Sequence, residues 1–226
     1  MAAQVSPTAT GSSYRFAGWA AIASGAVGIV AYGFLWAFVL KMISGGSEQT
    51  CIPLLRTHDA GVILQSLFMI PVALALHRMS SQHSPGVNRT TVAAGVTALS
   101  LVVVGLLLEF VNVLGSGLYM VPQGLLGVWL IVVNRHLSAM LPRGIRWLGT
   151  LVGIGFVLVA TFPIGYAIFV DPRLGPIPFD YQPPKETDKA NAILHNVLVI
   201  GSFMGVATYP IWAMLVGRRL LRQRIS

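Results

Sequence analysis

Few side chains in this chain can do chemistry inside an apolar setting, and most of them gather in four places. His58 and Asp59 are adjacent. Glu109 is the only acid set deep in apolar sequence, with Asn112 one helical turn further on. Tyr119 and Gln123 open the next apolar run. Asn191 and His195 lie one turn apart in the last. Carboxylate and imidazole together suit proton transfer, an ion pair, or coordination of zinc, copper or non-haem iron. An isolated acid at the centre of a bilayer costs about 2.5–3.5 kcal/mol on insertion scales, so each of these groups requires a partner or a purpose.

The elements that position them are six long apolar stretches: Ala17–Ile43, Gly61–Leu76, Thr91–Val113, Leu118–Val133, Trp147–Val170 and Ala190–Val216. A hydrocarbon core about 30 Å thick is crossed by about 20 helical residues. Most of the stretches meet that length, and the second and fourth do so with their polar flanks. With 55% hydrophobic and 10% charged residues, the 226-residue chain is not an ordinary soluble domain. The expected fold is all-α, a six-helix transmembrane bundle spanning 14–217, with a polar, disordered N-terminal segment (1–13) and a basic tail (218–226). The first apolar run is far longer than the ~7–15 residues of a signal peptide's core and reads as a retained helix.

Charge sets the orientation. With the N-terminus in the cytoplasm, Arg15, Arg78, Arg89, Arg135, Arg143, Arg146, Arg218, Arg219, Arg222 and Arg224 lie inside, ten in all. Five bases, Lys41, Arg56, Arg173, Lys185 and Lys189, lie outside, with every acid except the intramembrane Glu109. The positive-inside rule then predicts both termini cytoplasmic. Four arginines in the tail suit anionic lipid; with no basic domain or aromatic platform to go with the formal charge of +8, nucleic acid is not an expected partner.

Under this topology the polar groups share one depth in the outer leaflet. His58 and Asp59 are expected to cap the second helix, and Glu109 to lie about 6 Å inside the third at 1.5 Å per residue. His195 falls at nearly the same depth. Asn191, His195, Leu198, Ser202, Gly205 and Tyr209 repeat at i+4 and i+3, one face of the last helix directed inward. Glu109 and His195 are then expected to pair. Two readings follow: a polar clamp that locks helix packing in a packing or accessory subunit, or an outward-facing cavity for a small ligand. A metal on Glu109 and His195, in a membrane-embedded enzyme or metal-binding protein, is the alternative. No His-Glu-x-x-His, phosphate loop, nucleophile elbow or dinucleotide fingerprint occurs.

Haem would need paired histidines, His58 with His195 or His77 with His136. His58 and His77 stand 19 residues apart, roughly 28 Å along a helix, which puts both near interfaces and argues against haem. Cys51, the single cysteine, allows no internal disulfide. The glycines Gly18, Gly25 and Gly28, the pair Gly149 and Gly153, and the pair Gly201 and Gly205 predict close helix approach, with partner membrane subunits or a homo-oligomer as further candidates. Tyr209-Pro210-Ile211-Trp212 reads as an interfacial aromatic belt. The loop Ser44–Thr57 and the five-proline segment within Asp171–Lys189 read as outer connections, the latter spanning helices or covering the outer face.

Three segments of the second half carry a resemblance: Gly124-Leu125-Leu126-Gly127-Val128-Trp129-Leu130, Leu141-Pro142-Arg143-Gly144-Ile145-Arg146-Trp147-Leu148-Gly149, and Tyr209 to Leu220. They resemble a group of small bacterial and archaeal integral membrane proteins of unknown function. The resemblance implies a prokaryotic plasma (inner) membrane setting. It brings no catalytic residues with it.

Overall fold

A computed structural model of the chain describes residues 8–83, 89–113, 115, 117–137, 141–172 and 184–222. Side chains are described over 13–79, 90–113, 115, 117–137, 141–172 and 184–222. The described residues are helical with no strand: α1 (Thr8–Ile43), α2 (Glu48–His83), α3 (Arg89–Phe110), α4 (Met120–His136), α5 (Arg143–Phe169), a 3-10 turn at Lys185–Thr187, α6 (Asp188–Met204) and α7 (Tyr209–Arg222). Residues 1–7, most of the proline-rich segment (173–183) and the tail end (223–226) lie outside the described residues.

Five helical stretches are long and apolar enough to cross a membrane; the fifth runs through α6 and α7. Six were expected. The exception is α4, whose 17 residues reach roughly 26 Å, a little short of the hydrocarbon core.

The connection between α1 and α2 is much shorter than its polar composition predicts. Gly45, at φ +80°, closes α1: its N–H donates to the Met42 carbonyl and that of Gly46 to the Lys41 carbonyl, a Schellman cap. The Ser47 carbonyl then accepts from the Thr50 and Cys51 amides, and Glu48 places a negative charge at the positive end of α2. Ser47, Glu48, Gln49 and Thr50 are helix-start chemistry rather than loop chemistry. The helix therefore begins ten residues before His58 instead of at it.

Helices adjacent in sequence pack on one another, and α7 returns onto α1, so the set closes into a ring. Glycines set the closest approaches. A Cβ on Gly127 would lie 2.5 Å from the Gly153 carbonyl on α5, one on Gly155 2.1 Å from the Gly205 amide, and one on Gly217 2.6 Å from the Gly18 carbonyl. Only hydrogen fits at such crossings.

The last span is broken. Ala207 N–H donates to the Ser202 carbonyl five residues back (2.9 Å), Pro210 has no N–H to donate, and the Thr208 hydroxyl donates to the Met204 carbonyl. Below this bend α7 lies along α1; above it α6 packs on α5. Tyr209 and Trp212 are buried rather than interfacial. Tyr209 stacks on Trp212 (5.9 Å between centroids) and meets Phe156 edge-on at 5.2 Å, so the aromatic group fills the centre of the ring.

Candidate functional site

The ring encloses a cavity of about 390 Å³ to which α1, α2, α3, α4, α5, α6 and α7 all contribute. That volume falls in the range of small-molecule sites, about 300–1,000 Å³. Its walls are apolar and aromatic: Trp36, Val62, Phe156, Phe162, Val199 and Phe203 among others. Polar groups enter from one helix after another. Tyr32 comes from α1, His58, Asp59, Gln65 and Ser66 from α2, and Glu109 from α3. Tyr119 and Gln123 come from the start of α4, Ser202 from α6, and Tyr209 from α7.

At its centre are His58 and Asp59, only 3% and 4% exposed. They lie about 15 Å along α2 from Glu48, since the helix starts so far upstream. His58 Nδ1 donates to Asp59 Oδ1 at 2.9 Å. Among the described residues Asp59 Oδ2 accepts no hydrogen bond. Arg56, nearby on the same helix, turns outward with its guanidinium carbon 6.0 Å from the Phe110 ring centroid.

Glu109 is half-buried and one residue from the end of α3, rather than a full turn inside it; Oε2 accepts from the Gly117 amide at 3.4 Å. The reason α3 stops is Asn112. Its φ of 56° is left-handed, its N–H donates to the Glu109 carbonyl, and the next amide, Val113, reaches back to Leu108. Asn is one of the few residues other than glycine that adopts this conformation readily. The Asn112 side chain is exposed, and the residue serves as a helix cap.

The two α6 residues stand apart from the cavity lining. His195 is exposed, donates from Nδ1 to the Asn191 carbonyl at 2.9 Å, and packs edge-on against Phe162 at 5.1 Å. It does not pair with Glu109. Asn191 is half-buried, with Oδ1 shielded and without a hydrogen bond. The inward stripe therefore divides: Leu198, Ser202 and Tyr209 line the cavity, Gly205 abuts α5, and the two outer members leave it. No three His, Cys, Asp or Glu among the described residues gather as a metal set. His77 and His136 do meet, across a cleft of about 10 Å³, far too small for a porphyrin.

Gln65, Ser66 and Tyr32 were not read from the sequence as site residues. The signal was the dipeptide Gln65-Ser66 inside the apolar run Gly61–Leu76, which breaks a stretch otherwise suited to lipid. Gln65 is 7% exposed, and its Nε2 has no hydrogen-bond partner, nor does the buried Tyr209 hydroxyl. Both residues line the cavity, with these two atoms shielded from it; the Gln65 amide packs against Gly28 of α1.

No family model, curated protein or solved structure matches this chain.

Proposed function

We propose that the chain is a six-span, multi-pass protein of a prokaryotic plasma membrane whose central cavity binds a small, largely apolar molecule. The observation that carries the reading is the 390 Å³ cavity with a buried His58–Asp59 pair on its wall. A packing clamp would bring its polar groups together and leave no space of this size between them.

The outer surface supports the membrane setting. Large apolar side chains such as Ile29, Leu64, Phe68, Leu101, Leu107, Val128 and Ile164 are exposed, while Ser24, His58, Asp59, Gln65, Ser66 and Asn134 are buried. Exposure on that scale is stable in lipid rather than in water. Phe16, Trp19 and Trp147 are exposed at the starts of α1 and α5, where a cytoplasmic N-terminus places the inner headgroups.

The route supports a ligand dissolved in the bilayer. Trp36 on α1 and Phe203 on α6 lie with ring centroids 5.9 Å apart, and both line the cavity and are exposed. Because α6 leans onto α5 above the bend, the wall between α1 and α6 is thin, and entry runs between these two rings.

The test is titration of nanodisc-reconstituted protein with a neutral apolar fluorophore the size of two fused aromatic rings. Saturable binding near one per chain is expected, with loss of at least tenfold in affinity in Ser202→Trp, whose indole fills the cavity. Absence of saturable binding by wild type overturns the reading. Stoichiometric metal in elemental analysis of the purified protein would overturn it in favour of a metal-binding protein.

A further inference from the structure

Resting on that reading, we infer that the cavity selects a lipophilic amine, an apolar body carrying one protonated nitrogen. Among the described residues, the titratable side chains on its wall besides the tyrosines are two carboxylates and the His58 imidazole. Asp59 and Glu109 contribute carboxylates, and no Lys or Arg is among the described residues that line it. Arg56, the base nearest in sequence, is turned onto the Phe110 ring outside.

Asp59 is built for an ammonium group. His58 fixes the carboxylate through Oδ1, and Oδ2 accepts no hydrogen bond among the described residues. A charge-assisted N–H···O bond to that oxygen offsets the cost of keeping a carboxylate 96% buried, which a neutral apolar ligand leaves in place. The walls suit the same ligand. Tyr32 and Trp36 stand edge to face at 6.2 Å on one side, and Tyr119, Phe156 and Phe162 also line the space. Aromatic faces attract a cation, the more so once it has left water. An anionic headgroup would instead meet the Asp59 carboxylate, with no Lys or Arg among the described residues of the wall.

The experiment is competition against the neutral fluorophore in nanodiscs, with empty nanodiscs as the partition control. The probes are 4-phenylbutylamine and its uncharged counterpart 4-phenylbutan-1-ol. The amine is expected to displace at a concentration at least tenfold below the alcohol. Asp59→Asn is expected to reduce that preference to below threefold. If Asp59→Asn does not fold, Glu109→Gln serves, with at least a threefold fall in preference expected. Equal displacement by the two probes, or a preference undiminished in both carboxamide variants, overturns the amine assignment while the cavity stands. Failure of the fluorophore and both probes to bind wild type overturns the cavity reading itself.

Discussion

At the scale of single residues, His58 and Asp59 separate structure from function. Removing one member of a buried pair strands the other, so His58→Ala is expected to destabilise the fold by roughly 1–3 kcal/mol, read as a lowered unfolding midpoint in detergent. Replacing both by leucine removes both desolvation costs and is expected to be close to neutral in stability. If the pair exists for packing, the double variant retains everything. On the present reading it folds and loses the amine preference. Asn112 has the opposite character. Its left-handed backbone is the feature that ends α3, so Asn112→Gly is expected to be nearly neutral, whereas Asn112→Val costs roughly 1–2 kcal/mol. An Asn112→Gly variant that lost ligand binding at full stability would restore a direct role for its side chain.

Among the elements, glycine decides which helices touch. Gly155 and Gly205 hold α5 against the α6–α7 bend with backbone on backbone, and a methyl group at Gly155 has no space. Gly155→Ala is expected to cost roughly 1–3 kcal/mol and to disturb the cavity floor formed by Phe156 and Tyr209. Gly33 is the matched control: nothing lies within 4 Å of a Cβ there, so Gly33→Ala is expected to be neutral or stabilising by about 0.5–1 kcal/mol. Thermal unfolding of the two variants side by side checks the pair. Equal effects would mean that close helix approach is not what Gly155 provides. The broken last span belongs to this scale as well, because an unbroken helix would continue along α1 and seal the wall that Trp36 and Phe203 share.

For the whole molecule, the proposed topology places Ser44 outside and Arg143 inside. Cys51 is buried, so the native thiol gives a quiet background for labelling, and it is poorly placed for a disulfide to a second copy. In intact spheroplasts an impermeant maleimide is expected to label Ser44→Cys and to spare Arg143→Cys until the membrane is opened. The reverse pattern would invert the topology and place the thin wall in the inner leaflet. Wild type is expected to react only after denaturation.

Composition and residue order alone determined that the chain is helical and that its helices are apolar enough to cross a membrane, because an apolar run of span length has few stable alternatives to a helix in lipid. The glycine spacing likewise carried real information: Gly18, Gly28 and Gly153 sit at helix crossings. Which polar groups meet depended on helix starts, helix tilt and one bend, and these are settled by packing across the whole ring. Ser47 capping α2 moved His58 from an interface to the centre, while the bend after Met204 took His195 out of the cavity and left Ser202 in it. Helical periodicity places residues on one face of one helix. Whether that face meets a cavity is decided by its neighbours, which is why Tyr32 became visible only in the folded chain.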